Sequence, residues 1–128
     1  MSSANPVNWF EIPVSDMQRA VKFYEAVFGG KLAPPTEMGA HLFAFFPMER
    51  GASGAAGSLV KGEGYTPAHQ GTVVYFSVDA IDAALKKVGK AGGKTLFPRT
   101  SIGQYGFFAH FEDAEGNRVA LHEMAQGA

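Results

Sequence analysis

The feature that most constrains this chain is an internal repeat, in which a strand, a helix, a glycine and a second strand recur 64 residues further on. The repeat is carried by Val14 and Val78, Met17 and Ile81, Ala20 and Ala84, Val21 and Leu85, Gly29 and Gly93, Leu32 and Leu96, and Pro34 and Pro98. One apolar stripe could arise by chance, but a strand, a helix, a glycine and a second strand that all recur at the same offset of 64 residues are hard to explain in that way. The chain is therefore predicted to contain two copies of one structural unit.

Each copy begins with a strand that leads into an amphipathic helix. In the first strand, Phe10, Ile12 and Val14 alternate with Trp9, Glu11 and Pro13. One face should therefore pack on a helix, and the other should line whatever the sheet encloses. Capping side chains precede both helices: Ser15 has capping-box spacing to Gln18, and Asp79 and Asp82 should start the second helix.

Three extended segments follow each helix and complete a βαβββ pattern in each half. They are predicted at residues 31–35, 41–48 and 53–60 in the first half, and at 94–99, 106–112 and 117–124 in the second. A 128-residue chain of this kind should form a single domain spanning 1–128. We expect module one at 7–61, a linker at 62–71 and module two at 72–124.

The composition makes several classes of partner unfavourable. Eleven basic and twelve acidic side chains are intermingled, so neither nucleic acid nor a charged membrane surface is favoured as a partner. The chain has no cysteine, which excludes disulfides and thiolate metal sites. Its first residues lack a secretory signal pattern, and no apolar run is long enough to span a bilayer. We expect a cytoplasmic protein with a small-molecule ligand.

The residues resemble the vicinal oxygen chelate superfamily, which includes glyoxalase I, extradiol dioxygenases and bleomycin-resistance proteins. The resemblance covers residues 9–124 and rests on Ile12-x-Val14-x-Asp16, Phe23-Tyr24 through Phe28-Gly29, Ile81 to Leu85, and Asp113-x-x-Gly116-Asn117. It implies an α+β fold in which two tandem βαβββ modules form a cup-shaped mixed sheet with the helices outside. It also implies a homodimer.

The resemblance identifies the positions at which family enzymes bind a metal ion, and the residues found there in this chain are poor metal ligands. Family enzymes place His, Gln or Glu ligands on the first and last strands of each module. The matching positions here are Trp9, Val73, Ala120 and Ser58, which offer at most one weak oxygen donor. Because a divalent ion needs about three or four protein donors, we expect no metal cofactor at these positions. The alternative is a divalent ion held by relocated ligands.

Glu11 is the leading candidate for a polar centre in an aromatic cup. Trp9 and Tyr75 should share its face, and a buried Glu11 could act as a general base or as a hydrogen-bond anchor. The structural alternative is that Glu11 only accepts hydrogen bonds from Tyr75, Arg99 or a backbone amide. On the predicted rim, Arg99 could bind an anionic ligand and Tyr105 could close over it.

The four histidines are weaker candidates. His110 and His122 lie on neighbouring predicted strands and could form a displaced metal-binding or ligand-binding pair, or be ordinary hydrogen-bonded histidines. His41 and His69 lie at loop edges, and we expect no role for them.

Three functions follow from these observations. The first is a small-molecule-binding protein of the superfamily that works without metal, and that either sequesters its ligand or performs acid–base chemistry. The second is a metal-dependent lyase or dioxygenase with relocated ligands. The third is a partner-binding module whose cup is vestigial, for which we would expect no cavity beside Glu11.

Overall fold

The structure, a computed structural model, describes residues 5–126. Its helices and strands are β1 (Trp9–Pro13), α1 (Met17–Phe28), β2 (Thr36–Met38), β3 (His41–Phe45), β4 (Ala56–Lys61), β5 (Tyr75–Ser77), α2 (Ile81–Lys90), β6 (Lys94–Ser101), β7 (Phe107–Glu112) and β8 (Arg118–Glu123). A single 3-10 turn, Gly103–Tyr105, precedes β7. No helix within the described range is long and apolar enough to cross a membrane.

The strands form two four-stranded mixed sheets with the same internal order. The orders are β1-β4-β3-β2 and β5-β8-β7-β6. In each sheet the first and last strands of the module pair in parallel, and the other pairs are antiparallel. This confirms the predicted α+β fold of two βαβββ units. We call β1–β4 with α1 the first module, and β5–β8 with α2 the second.

One hydrophobic core spans both modules. The aliphatic face predicted for the first strand is buried, with Ile12 of β1 and the following Val14 almost fully enclosed. Phe23 of α1 reaches the second module, where its ring centroid lies 6.0 Å from that of Phe111. The helices also contact each other. Since an apolar side chain is stabilised by removal from water, neither module can separate without exposing this shared surface.

The turn between β7 and β8 joins the modules through a buried polar network. Asp113 accepts a hydrogen bond of 2.6 Å from the Tyr24 hydroxyl on α1. The Asn117 amide donates to the Pro13 carbonyl at 2.8 Å and accepts from the Ala68 N–H at 3.1 Å. Each of these buried polar groups is paired, as burial requires. The Asp-x-x-Gly-Asn pattern therefore has a structural role here.

The segment after α1 departs from the predicted pattern. Residues 31–35 do not form a strand, and the edge strand β2 begins only at Thr36. Pro34 and Pro35 lack the N–H that a ladder needs. The segment bonds to the sheet through the Ala33 N–H, 2.9 Å from the Phe45 carbonyl, and to α1 through the Leu32 N–H, 2.9 Å from a Glu25 carboxylate oxygen. The matching Pro98 does lie inside β6, an edge strand with shifts in register, where the missing donor is tolerated.

Three other strands, β4, β7 and β8, begin later than predicted, and the delays of β4 and β7 follow from glycine conformation. The segment predicted from residue 53 becomes β4 only at Ala56, because Gly54 has a φ of 84° in a turn. Gly106 has a φ of 102°, so β7 starts at Phe107. Extended strands require negative φ, which excludes both glycines from their ladders.

The predicted helix caps were wrong in detail. The N-cap of α1 is Asp16, which accepts from the Arg19 N–H, while Ser15 donates its own N–H to Glu115 of the second module. The N-cap of α2 is Ala80, which makes no side-chain bond. In each case a carboxylate from a distant part of the chain satisfies an amide at the helix start, which local sequence cannot reveal.

Candidate functional site

A cleft of about 1160 Å³ lies between β1 and β5, each an edge strand of its sheet. Trp9 and Glu11 line it from β1, and Tyr75 and Ser77 line it from β5. The volume is large enough for a drug-sized ligand, since such sites enclose roughly 300–1,000 Å³. The structure brings Trp9, Glu11 and Tyr75 to the same cleft, and the vestigial-cup alternative lacks the filled cup it requires.

Phenylalanine rings form the apolar base of this cleft. Phe76 stacks on Phe28 with a centroid separation of 4.4 Å and meets Phe10 edge-on at 5.6 Å. Phe46 contacts both Phe10 and Phe76. All four rings line the cleft. Because they come from both modules, the base exists only when the modules are assembled.

Trp9 provides an aromatic wall on the first sheet. Its side chain is 38% exposed and lies edge-on to Phe45 at 5.9 Å. Phe45 in turn stacks on Phe43 at 6.1 Å. Edge-on and stacked pairs hold aromatic rings in fixed orientations. The arrangement presents an ordered aromatic surface that an apolar ligand could contact.

Glu11 is exposed rather than buried, so the expectation of a buried general base loses its premise. Its hydrogen-bond partner is also different from those predicted. Tyr65, from the segment between the modules, donates its hydroxyl to Glu11 Oε1 at 2.8 Å. The Tyr65 ring is held edge-on to His41 at 5.2 Å. Glu11 is therefore a positioned acceptor that stays open to the cleft.

His110 is part of a polar cluster on the second sheet. Arg118 approaches its Nδ1 atom at 2.9 Å, and the Tyr75 hydroxyl lies 3.3 Å from its Nε2 atom. Partial burial, and then the positive charge of Arg118, lower the pKa of the His110 imidazole. His110 does not line the cleft itself, but Tyr75, which it contacts, does.

Arg99 forms a salt bridge with Glu123 of the same chain. Its guanidinium makes two bonds to the Glu123 carboxylate, at 3.1 and 3.0 Å, and lies 3.6 Å from the centroid of the Phe107 ring. The hydrogen bonds from Arg99 and from the Ile81 N–H lower the pKa of Glu123. Arg99 is absent from the cleft wall. The structure thus places this predicted anion-binding residue in a helix-capping cluster.

His122 and Tyr105 lie together outside the cleft. His122 Nε2 is 2.7 Å from the Tyr105 carbonyl, and since a carbonyl only accepts, the imidazole donates. The Tyr105 side chain is 68% exposed. The remaining histidines also have partners: His41 bonds to the Glu63 carbonyl at 3.2 Å and His69 pairs with Glu112 at 2.8 Å.

The residues at the family's metal positions do not fit a divalent ion. Trp9 cannot coordinate one, Val73 and Ala120 are apolar, and only the Ser58 hydroxyl could donate an oxygen. Ser58 is fully buried, and its hydroxyl has no hydrogen-bond partner among the described residues. Within residues 5–126, no three His, Asp or Glu side chains cluster closely enough to hold a metal ion.

Sequence reasoning overlooked two residues of this site, Tyr65 and Arg118. Tyr65 lies in the segment predicted as a linker, and nothing in its local sequence indicates a contact with Glu11 54 residues away. Arg118 follows the Asp-x-x-Gly-Asn turn directly, so its position at the start of the last strand was readable. Its side-chain direction depended on the strand pairing.

Comparison with known sequences gives a family. The sequence model described as Glyoxalase/Bleomycin resistance protein/Dioxygenase superfamily matches residues 7–121. A glyoxylase-like domain-containing protein from Didymella fabae is 31% identical over 122 residues, covering 90% of this chain and 91% of that protein. CFP32 of Mycobacterium tuberculosis is 30% identical over 117 residues, covering 89% of this chain. This chain spans only 44% of the length of CFP32.

Solved structures share the fold at low sequence identity. The glyoxylase/bleomycin resistance protein/dioxygenase domain from Frankia sp. EAN1pec superposes with a TM-score of 0.74 at 18% identity, covering 96% of this chain and 100% of that one. TnmS3, an antibiotic binding protein from Streptomyces sp. CB03234, superposes with a TM-score of 0.67 at 22% identity, covering 98% and 99%.

Proposed function

The chain belongs to the glyoxalase/bleomycin resistance protein/dioxygenase superfamily, and from that premise we propose that it binds a small apolar or aromatic molecule in the cleft between its modules. The observation that carries this proposal is the cleft itself, about 1160 Å³ beside Trp9, Glu11 and Tyr75. An apolar base with a few polar groups around it is the usual composition of a ligand site. The antibiotic-binding activity given for TnmS3 is consistent with such a role.

In this proposal the ligand is held without a metal ion. The four family metal positions lack the donors for one, so affinity has to come from aromatic contact and hydrogen bonding. Trp9 supplies contact area, and Glu11 accepts a hydrogen bond from a donor group on the ligand. Tyr65 holds the Glu11 carboxylate in place for this contact.

Trp9 makes the proposal directly testable, because it is the only tryptophan in the chain and lies on the cleft wall. We expect 2-(hydroxymethyl)anthraquinone, a neutral planar aromatic probe that carries one hydroxyl donor, to quench its fluorescence in a saturable manner and to raise the melting temperature. Glu11→Gln removes the charge but keeps the shape, and it should weaken binding of the hydroxyl-bearing probe because a carboxylate is the stronger acceptor. Glu37→Gln, on the exposed strand β2, is its matched control and should bind the probe as wild type does. A probe that quenches Trp9 without saturating, and leaves the melting temperature unchanged, contradicts binding in the cleft.

Metal content separates this proposal from the relocated-ligand alternative. We expect the purified protein to contain no stoichiometric divalent ion and to keep its probe affinity in a chelator. A tightly held ion that is lost from His110→Ala or His122→Ala would favour the metal-dependent alternative.

The proposal also covers the oligomeric state of the protein and its location in the cell. We infer a cytoplasmic homodimer, in keeping with the dimers found in this family. Light scattering after size exclusion should give twice the 13.6 kDa mass of the chain. A monomer across the micromolar range contradicts the dimer but leaves binding in the cleft intact.

A further inference from the structure

The cluster of Arg118, His110 and Tyr75 fixes where the proton on the imidazole lies. Arginine carries only donors, so Arg118, 2.9 Å from Nδ1, requires that nitrogen to be an acceptor. A neutral imidazole that accepts at Nδ1 must carry its proton at Nε2. A protonated imidazole would direct an N–H at the Arg118 guanidinium, which is both a like charge and a donor.

The position of that proton determines whether the Tyr75 hydroxyl can donate a hydrogen bond to a ligand. With Nε2 protonated, His110 donates to the Tyr75 oxygen, 3.3 Å away, and the phenol cannot donate back. Among residues 5–126, no other acceptor is within hydrogen-bonding distance of this hydroxyl. The Tyr75 side chain is 52% exposed and lines the cleft. Its proton is therefore available to a bound molecule.

Arg118 itself carries a charge that no carboxylate neutralises within the described residues. Salt bridges engage Arg19 and Arg99, but none includes Arg118. The neighbouring acid Glu112 pairs with His69 instead. Arg118 lines a small cavity of about 100 Å³ that shares Glu11 with the main cleft. The positive charge of Arg118 thus lies in a small cavity next to Glu11, whereas Arg99, the residue predicted to bind an anion, is paired with Glu123.

We propose that Arg118 and His110 are positioning residues that hold Tyr75 as a hydrogen-bond donor to a carbonyl or carboxylate oxygen of the ligand. This inference rests on the proposed function and adds a polar group to the ligand. The ligand combines an apolar, planar body over the phenylalanine base with an acceptor oxygen at Tyr75. Arg118 holds His110 in one tautomer, and His110 orients the phenol through its Nε2 proton.

The first test measures the tautomer and needs no ligand. In protein with ¹⁵N-labelled histidine at pH 7.5, long-range NMR correlations should show His110 as neutral and protonated at Nε2. Arg118→Met keeps an unbranched apolar side chain but removes the donors, and it should allow both tautomers. Arg50→Met, on an exposed loop, is the matched control and should leave the spectrum of His110 unchanged. A wild-type His110 that is protonated at Nδ1, or charged, overturns the proposal.

The second test uses two probes, 2-acetylnaphthalene and 2-ethylnaphthalene, which differ only by a carbonyl in place of a methylene. The indole resonance of Trp9 reports binding of either one. Tyr75→Phe should weaken the acetyl compound about tenfold, as expected for loss of one hydrogen bond, and should change the ethyl compound less than about twofold. Arg118→Met should act in the same direction as Tyr75→Phe. Equal losses for both probes overturn the assignment of Tyr75 as a donor.

A third probe, 2-naphthoate, separates an anionic oxygen from a neutral one. If Arg118 contributes its charge, Arg118→Met should weaken 2-naphthoate more than 2-acetylnaphthalene. If all three probes leave Trp9 unaffected up to their solubility limits, the proposed function fails and the donor role of Tyr75 fails with it, whatever the tautomer of His110. Saturable binding of the probes with no effect of Tyr75→Phe supports the proposed function and removes the positioning role.

Discussion

At the scale of the residue, Tyr24 is the buried hydroxyl on which a prediction can be made most directly. Burial, and then the neighbouring Asp113 carboxylate, raise the pKa of Tyr24 well above its ordinary value, so it stays a neutral donor. Tyr24→Phe leaves Asp113 with one donor fewer in a buried site and should lower the unfolding free energy by about 1–3 kcal/mol. Urea unfolding measures the loss. Tyr105→Phe, at an exposed ring, should stay within about 0.5 kcal/mol of wild type, and equal values for the two variants contradict the role of Tyr24.

His110 gives a prediction about pH at the same scale. Its folded-state pKa is lowered below the ordinary 6.5 by burial and by Arg118. The unfolded chain therefore binds the proton first, so the stability that neutral His110 contributes is present above pH 6.5 and is lost as pH falls below it. NMR titration should give a midpoint below 6.5, and Arg118→Met should raise it. An unchanged midpoint in Arg118→Met would remove Arg118 as a cause.

The sequence identified the site residues that follow from strand alternation, and it missed those that depend on contacts between residues far apart in the chain. Trp9 and Glu11 were placed on one face by simple alternation, which a strand enforces. The partners of Glu11 and Arg99 were not predictable, because Tyr65 and Glu123 lie 54 and 24 residues away from them. A contact at such separation depends on how the sheets are assembled.

At the scale of the element, two glycines near the end of α2 should respond to alanine with opposite signs. Gly89 lies within the helix with open space around it, so Gly89→Ala should stabilise the protein by about 0.5–1 kcal/mol. At Gly93 an added Cβ would collide with the Glu112 carbonyl and lie 2.8 Å from Val88 Cγ1. Gly93→Ala should therefore cost about 1–3 kcal/mol. Thermal unfolding of both variants is the measurement, and shifts of the same sign would be contrary to this packing.

The repeat matched Gly29 with Gly93, yet the structure gives the two glycines different reasons to be there. Gly29 ends α1 with a φ of 73°, a conformation that favours glycine. In the second module Gly92 has the positive φ, and Gly93 is required by the close approach of β7. A glycine thus occurs at the matching position of both modules, but in the second module the positive φ that ends the helix belongs to the preceding residue, Gly92.

The start of α2 carries a prediction about acid stability. Glu123 accepts from the Ile81 N–H at the helix start and from Arg99, and these bonds lower its pKa. A carboxylate with a lowered pKa stabilises the fold above its ordinary value of 4.5, and that stability is lost as pH falls through the folded-state value. Glu123→Gln should melt below wild type at pH 7, and the gap should close in acid. A gap that stays constant with pH would point to packing instead of charge.

At the scale of the whole molecule, the shared core predicts that both modules unfold together. Trp9 fluorescence reports only the first module, whereas far-UV circular dichroism reports both. The two signals should show the same urea midpoint, because Phe23 and Asn117 bind the modules to each other. In Asn117→Ala the midpoint should fall for both signals. Separate midpoints in the wild-type protein would show that the modules are independent.

The sequence by itself determined the two βαβββ units, the face of β1 that carries Trp9 and Glu11, and the poor fit of a metal at the family positions. These follow from residue periodicity and from side-chain chemistry, which are local properties. Only the tertiary structure decided that Arg99 caps a helix, that Tyr65 holds Glu11, and that Arg118 and His110 orient Tyr75. Those contacts join side chains from separate elements, and their geometry exists only after the two sheets have packed on one core.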